Sequence, residues 1–179
     1  DTSVSNPLAI NFFVLGYDSN KKLALINNAT KTNLLNYMSF YRILTDAINI
    51  KNAYIVNSAI DFDLVVKPNF NANEVLLNCI AKLKNYFAVD KIGINQPILL
   101  SDLYVMLDEV DGVQSVVRPN ALGEGGLQII NKDGGQYSPR KYNIKNATKK
   151  GIVYPPKDPS VFEIKFPDID IRGRVVPLF

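Results

Sequence analysis

The stretch IKNAYIVNSAIDFDLVV, residues 50–66, decides how the chain is read. It predicts one long extended segment. From Ile60 to Val65 it alternates apolar and acidic residues before turning fully apolar, the pattern of an antiparallel strand with one solvated face. Pro68 lacks a backbone donor and stops it. Asp61 and Asp63 lie two apart and share a face. Such a pair could act as acid and base or hold a cation, but no further ligand lies nearby in sequence, so a solvated strand face is the expectation.

Upstream, residues 8–15 (LAINFFVL) are aromatic and β-branched and predict a strand. Both of its alternating faces are mostly apolar, so cover on both sides is expected. Gly16-Tyr17-Asp18-Ser19-Asn20 signals a turn, and Leu23 to Ile26 a short second strand. Thr30 or Thr32 is placed to cap a helix that runs to about Ile48. Leu34, Met38, Tyr41, Leu44 and Ile48 fall on one face of it. Downstream, Asn71 and Glu74 have capping-box spacing, and Leu76, Ile80, Leu83 and Phe87 continue as a helical stripe. Ser101 caps a third helix, with Asp102 where the macrodipole favours an anion. Its buried face is Leu103, Met106, Leu107 and Val110; Asp111-Gly112 ends it, and residues 113–117 form a strand. The order strand, helix, strand, helix, helix, strand predicts an α+β domain over residues 1–118, a split βαβ, ferredoxin-like sandwich with an extra helix.

From Pro119 the composition shifts. Leu127-Gln128-Ile129-Ile130 followed by Asn131-Lys132-Asp133-Gly134 predicts a hairpin, and Pro155, Pro156 and Pro159 punctuate a linker. Residues 162–166 and 169–171 alternate and predict short strands. Residues 119–179 are therefore read as a β-rich hairpin and extended C-terminal region. Without a helical stripe it packs on the first domain or on a neighbouring subunit.

Composition excludes several function classes. Of 179 residues, 47% are hydrophobic and 21% charged, the balance of a globular chain and not of a disordered one. No window of 18 apolar residues predicts a membrane span, and no signal-peptide pattern opens the chain. The absence of His removes the Ser-His-Asp and Cys-His triads and the commonest metal ligand. The single Cys79 cannot form an intramolecular disulfide. Within Val75-Leu76-Leu77-Asn78-Cys79-Ile80 it reads as a small buried hydrophobe, with a reactive thiol as the other reading. Asp1 in place of Met reads as a processed or truncated chain. The expectation is a non-enzymatic protein with no catalytic residues, no cofactor and no metal.

Net charge is +3, unevenly placed: residues 1–120 carry 10 basic and 11 acidic groups, residues 121–179 carry 10 and 6. Gly123-Glu124-Gly125-Gly126 lacks the Lys-Ser/Thr of a phosphate loop and precedes a strand, so it reads as a turn. Arg140, Lys141, Lys145, Lys149 and Lys150, with Tyr137 and Tyr142 interleaved, have the composition of a single-strand nucleic-acid groove. The weak net charge favours a solvated surface or an acidic protein partner instead. Asp108, Glu109 and Asp111 cluster at a helix C-terminus, where the dipole disfavours them. The end of the chain, IRGRVVPLF, is apolar for a terminus and carries two arginines. It reads as an interface arm, or as a segment docked on its own domain. Phe162, Ile164, Phe166, Arg172, Arg174, Leu178 and Phe179 are the candidate interface residues.

Four runs then carry a resemblance: Tyr41-Arg42-Ile43-Leu44-Thr45-Asp46, Phe70-Asn71-Ala72-Asn73-Glu74-Val75-Leu76, Ile98-Leu99-Leu100-Ser101-Asp102-Leu103 and Val110-Asp111-Gly112-Val113-Gln114-Ser115-Val116. In this order and spacing, residues 8–118 resemble the C-terminal half of the baseplate J-like family. The resemblance implies a structural subunit of a contractile phage tail, one of the wedge components that ring the central hub. It implies contacts with copies of itself, as a homodimer, and with other baseplate wedge proteins. It implies a place in the virion's tail baseplate after assembly in the host cytoplasm; the weak net charge and the lack of an apolar span leave no nucleic acid or membrane partner expected. Two rival expectations stand beside it. One is a ferredoxin-like small-molecule-binding or acylphosphatase-like domain, against which the loop Gly16–Asn20 offers no Arg for an anion. The other is a nucleic-acid-binding module.

Overall fold

The computed structural model describes residues 9–41, 47–120 and 124–177. The chain forms two compact units, Asp1–Tyr54 and Ile55–Phe179. The fold is mixed α+β.

In the N-terminal unit the elements are β1 (Ala9–Val14), β2 (Gly16–Tyr17), β3 (Leu23–Ala24), α1 (Asn28–Ser39) and β4 (Ala47–Asn52). β1 and β4 pair in parallel, from Ala9 opposite Ala47 to Val14 opposite Asn52, so α1 is the crossover of a βαβ unit. β2 and β3 form a small hairpin whose turn is held by Asp18, which accepts from the amides of Asn20 and Lys22. Asn27 caps α1 in place of either threonine: its Oδ1 accepts from Thr30 N at 2.8 Å. The helix ends at Ser39, short of the expected Ile48. Ile48 and Ile50 are β-branched at a spacing of two and take strand pairing on β1. Tyr41 is 75% exposed, and Leu44 lies outside the described residues.

The C-terminal unit contains β5 (Tyr54–Val66), α2 (Ala72–Tyr86), β6 (Ile98–Leu99), α3 (Leu100–Asp108), β7 (Val113–Val116), β8 (Gln128–Asn131), α4 (Ile144–Ala147), β9 (Thr148–Lys149), β10 (Ile152–Val153), β11 (Ser160–Glu163), α5 (Pro167–Asp170) and β12 (Ile171–Val175). β5 is the hub. It pairs with β11, with β12 in parallel from Ile60–Ile171 to Leu64–Val175, and with β7 and β8 antiparallel. Val56, Ile60, Phe62 and Leu64 alternate onto one face and pack with Val75, Cys79 and Leu83 of α2 and Leu103 and Leu107 of α3. Asn71 caps α2, its Oδ1 accepting from Asn73 N at 3.0 Å. α3 starts at Leu100 with no side-chain cap; Ser101 lies inside it. Gly173 lets β12 pass beneath α2, because a Cβ there would stand 2.4 Å from Leu76 Cδ1 and 2.5 Å from Phe62 Cζ.

These pairings differ from a single split βαβ sheet. β1 pairs directly with β4, while β5 and β7 belong to a five-stranded sheet with β8, β11 and β12. The division between units falls at Tyr54/Ile55 and not at 118/119. The cause is β5, on which three strands of residues 119–179 close. Gln128–Asn131 forms β8 instead of half a hairpin, and Ile169 belongs to α5 instead of a strand. No helix among the described residues is long and apolar enough to cross a membrane.

Candidate functional site

The alternation Ile60-Asp61-Phe62-Asp63 predicts solvated carboxylates, but β5 is covered on both faces and Asp63 is buried. Three donors satisfy it. Gly126 N reaches Oδ2 at 2.8 Å, and the Arg174 guanidinium forks onto both oxygens, Nε to Oδ1 at 2.9 Å and Nη2 to Oδ2 at 3.2 Å. A bidentate arginine is the strong form of this contact. The glycine loop considered as a phosphate cradle therefore serves the chain's own carboxylate. Gly126 has φ of +61°, and a Cβ there would stand 2.5 Å from Val117 O. Gly123 lies outside the described residues.

Two more buried acids follow the same rule. Glu163 on β11 accepts from Asn57 Nδ2 at 2.7 Å, while Asn57 Oδ1 accepts from Ser138 N at 2.6 Å. Asp170, fully buried, accepts from Tyr137 Oη at 2.7 Å and from Phe166 N at 3.0 Å. Burial, and then the Asp170 carboxylate, push the Tyr137 phenol up to about 12. Each acid thus joins β5 or α5 to a segment far away in sequence. Each of the three accepts at least one hydrogen bond from a distant segment of the chain itself.

The candidate interface residues scatter. Phe162 and Ile164 fill the core of the C-terminal unit. Phe166 is half-buried and meets Tyr137 edge-on, with centroids 5.5 Å apart. Arg172 is exposed, its Nε donating to Ile169 O at 3.0 Å. Arg174 is committed to Asp63. Leu178 and Phe179 lie outside the described residues. Of the two readings of the terminal segment, residues 171–175 follow docking on the chain's own domain, as β12. A chain cut after residue 167 would lose a core strand, so its failure to assemble would say nothing about an arm.

Three side chains of the basic stretch are engaged within the chain. Tyr137 serves Asp170, Tyr142 Oη donates to Tyr154 O at 2.7 Å, and Arg140 pairs with Asp158 at 2.9 Å. In the acidic cluster, Asp108 Oδ1 accepts from Val116 N at 3.1 Å, tying the end of α3 to β7. A cleft of about 440 Å³ beside α2 and α3 is lined by Lys82, Tyr86, Lys91, Ile92 and Met106 among others. Both lysines are engaged, Lys82 with Met106 O and Lys91 with Asn85 Oδ1. Cys79 is buried, and burial pushes its thiol up to about 11, the inert member of its two readings.

The N-terminal unit holds what sequence reasoning missed. Among its described residues only Ala53 is buried. α1 buries none of its residues, and at its end Tyr37 (61%), Phe40 (84%) and Tyr41 (75%) are exposed together, with the rings of Tyr37 and Tyr41 5.2 Å apart. The signal was available: Tyr37 on α1, with Phe40 and Tyr41 just past its end, stands where a solvated helix carries Lys and Glu. Large exposed aromatics of this kind mark contact surfaces.

No protein-family model matches this sequence, and no curated protein matches it.

Proposed function

We propose that the chain is a structural subunit whose work is done by its surfaces, and that its place is the wedge of a contractile phage tail baseplate of the T-even type. There it contacts copies of itself and other wedge proteins around the tail hub. It reaches the virion by assembly in the host cytoplasm. The observation that carries the assembly reading is the N-terminal unit, a βαβ piece with three bare aromatic rings and almost nothing buried. Parallel strands occur where both faces are covered, so such a piece calls for a neighbour. The order of motifs in residues 41–116 supplies the baseplate assignment. The fastening of buried acids to internal donors fits a body that transmits load better than one that turns over substrate. The reading uses the α+β body alone and does not depend on a ferredoxin-like strand order.

The test is immunogold labelling of contractile-tailed particles from the source of the sequence, with antibody raised against the purified chain. Label confined to the baseplate end of the tail is expected. Particles that carry no label at any position, although the chain is expressed, would overturn the assignment.

A further inference from the structure

We propose that Asp133 is a modification site. The Asp133-Gly134 junction closes to a succinimide and reopens as isoaspartate, while the chain's other Asp-Gly junction, Asp111-Gly112, is held out of this reaction by the fold. The inference is independent of the reading of the chain as an assembly subunit.

The reaction needs only water. Gly134 N attacks Asp133 Cγ and forms the new bond of a five-membered ring. The hydroxyl of the protonated carboxyl leaves with the amide proton as water. A second water then opens the ring. Cleavage between the nitrogen and Cγ restores aspartate. Cleavage between the nitrogen and the main-chain carbonyl carbon leaves the chain running through Cγ, one methylene longer and unchanged in mass. Glycine favours the closure because it has no side chain beside the attacking nitrogen and turns freely.

Both acids are exposed, so the glycines decide. Gly134 stands in a loop held at its two ends on one residue: Lys132 N donates to Asn57 O at 2.9 Å, and Ser138 N to Asn57 Oδ1 at 2.6 Å. Residues 133–136 are exposed between these points. Gly134 N reaches Ser138 O at 3.4 Å, long for an amide hydrogen bond, so little holds it from turning. A Cβ at Gly134 or Gly135 would meet nothing within 4 Å, which leaves the loop room to swing as the ring closes. Gly112 has the opposite setting. It is buried, and its carbonyl accepts from Lys67 N at 2.9 Å. A Cβ there would stand 2.6 Å from both Phe70 Cδ1 and Val75 Cγ2. Ring closure at Asp111 would have to turn that peptide against a packed core, which does not yield.

The experiment uses the whole chain, aged at neutral pH with gentle warming and then digested. Electron-transfer fragmentation of the peptides tells isoaspartate from aspartate at equal mass. Isoaspartate should build up at position 133 at least tenfold faster than at 111. In a chain aged in urea the gap should close, because the walls around Gly112 are gone. The variant Asp133→Asn should pass through the same ring with ammonia as the leaving group, and should age faster than the unsubstituted chain. Absence of isoaspartate at 133 overturns the proposal, as do equal rates at both positions in the folded chain. A gap that persists in urea overturns it too, since local sequence and not the fold would then set the rates.

Discussion

Helix α1 buries none of its 12 residues, whereas the 15-residue α2 buries Val75, Cys79 and Leu83. The strands differ in the same way. Among the described residues β1 has one strand partner, β4, while β5 has four. Local sequence does not explain this, because β1 is as apolar as β5. The difference lies in what the rest of the chain returns to each. β5 receives β7, β8, β11 and β12, together with the donors for the buried Asp63. Among the described residues the strands of the N-terminal unit pair only with each other, β1 with β4 and β2 with β3. An apolar strand with a second layer from its own chain becomes a core; on the reading proposed above, one without it becomes a surface for another molecule.

The largest effect that would test this contrast is expected at Phe62, at the centre of the C-terminal unit. Phe62→Ala should cost about 3–5 kcal/mol in a urea titration. A loss below about 1 kcal/mol would mean that this core is no firmer than the half-exposed N-terminal unit. The next effect concerns the fastening of the tail. Tyr137→Phe should cost about 1.5 kcal/mol, the worth of a hydrogen bond to a charged group. It also predicts a pH limb. The folded chain holds the phenolic proton up to about 12, against 10.0 for an ordinary tyrosine. Between these values the folded state binds more protons than the unfolded one. The contribution is therefore whole below pH 10 and declines as pH rises towards 12. Stability followed across that window should fall less steeply in Tyr137→Phe; equal slopes would refute the assignment. The smallest effect is expected at Phe40. Phe40→Ser should shift the stability of the isolated chain by no more than about 0.5 kcal/mol, as a bare surface site does. A larger loss would mean the ring packs inside its own chain.

How much is legible from sequence follows the same line. The helix over residues 72–86 and its Asn71 cap, the strand at 113–116 and the burial of Cys79 all rest on local pattern and capping, and all stand. The burial of Asp63 is not legible, because its donors lie 63 and 111 residues away. A period-two alternation describes one strand and is silent about what covers its second face. Tyr41 fits a buried stripe by spacing alone, since a spacing of three or four suits a helix whether or not anything lies against it. The extension has no stripe with which to build a core by itself; its strands instead complete one begun at β5. Phe162 and Ile164 are contact residues, as their pattern suggests, but the contact is with their own chain.

Cys79 gives the C-terminal unit a clock of its own. Its sulfur sits wholly inside the C-terminal unit, with burial holding it as the unreactive thiol, and the chain has no second cysteine. A thiol reagent therefore answers when α2 lifts from β5. The rate of that single chemical event reads the opening of the core alone.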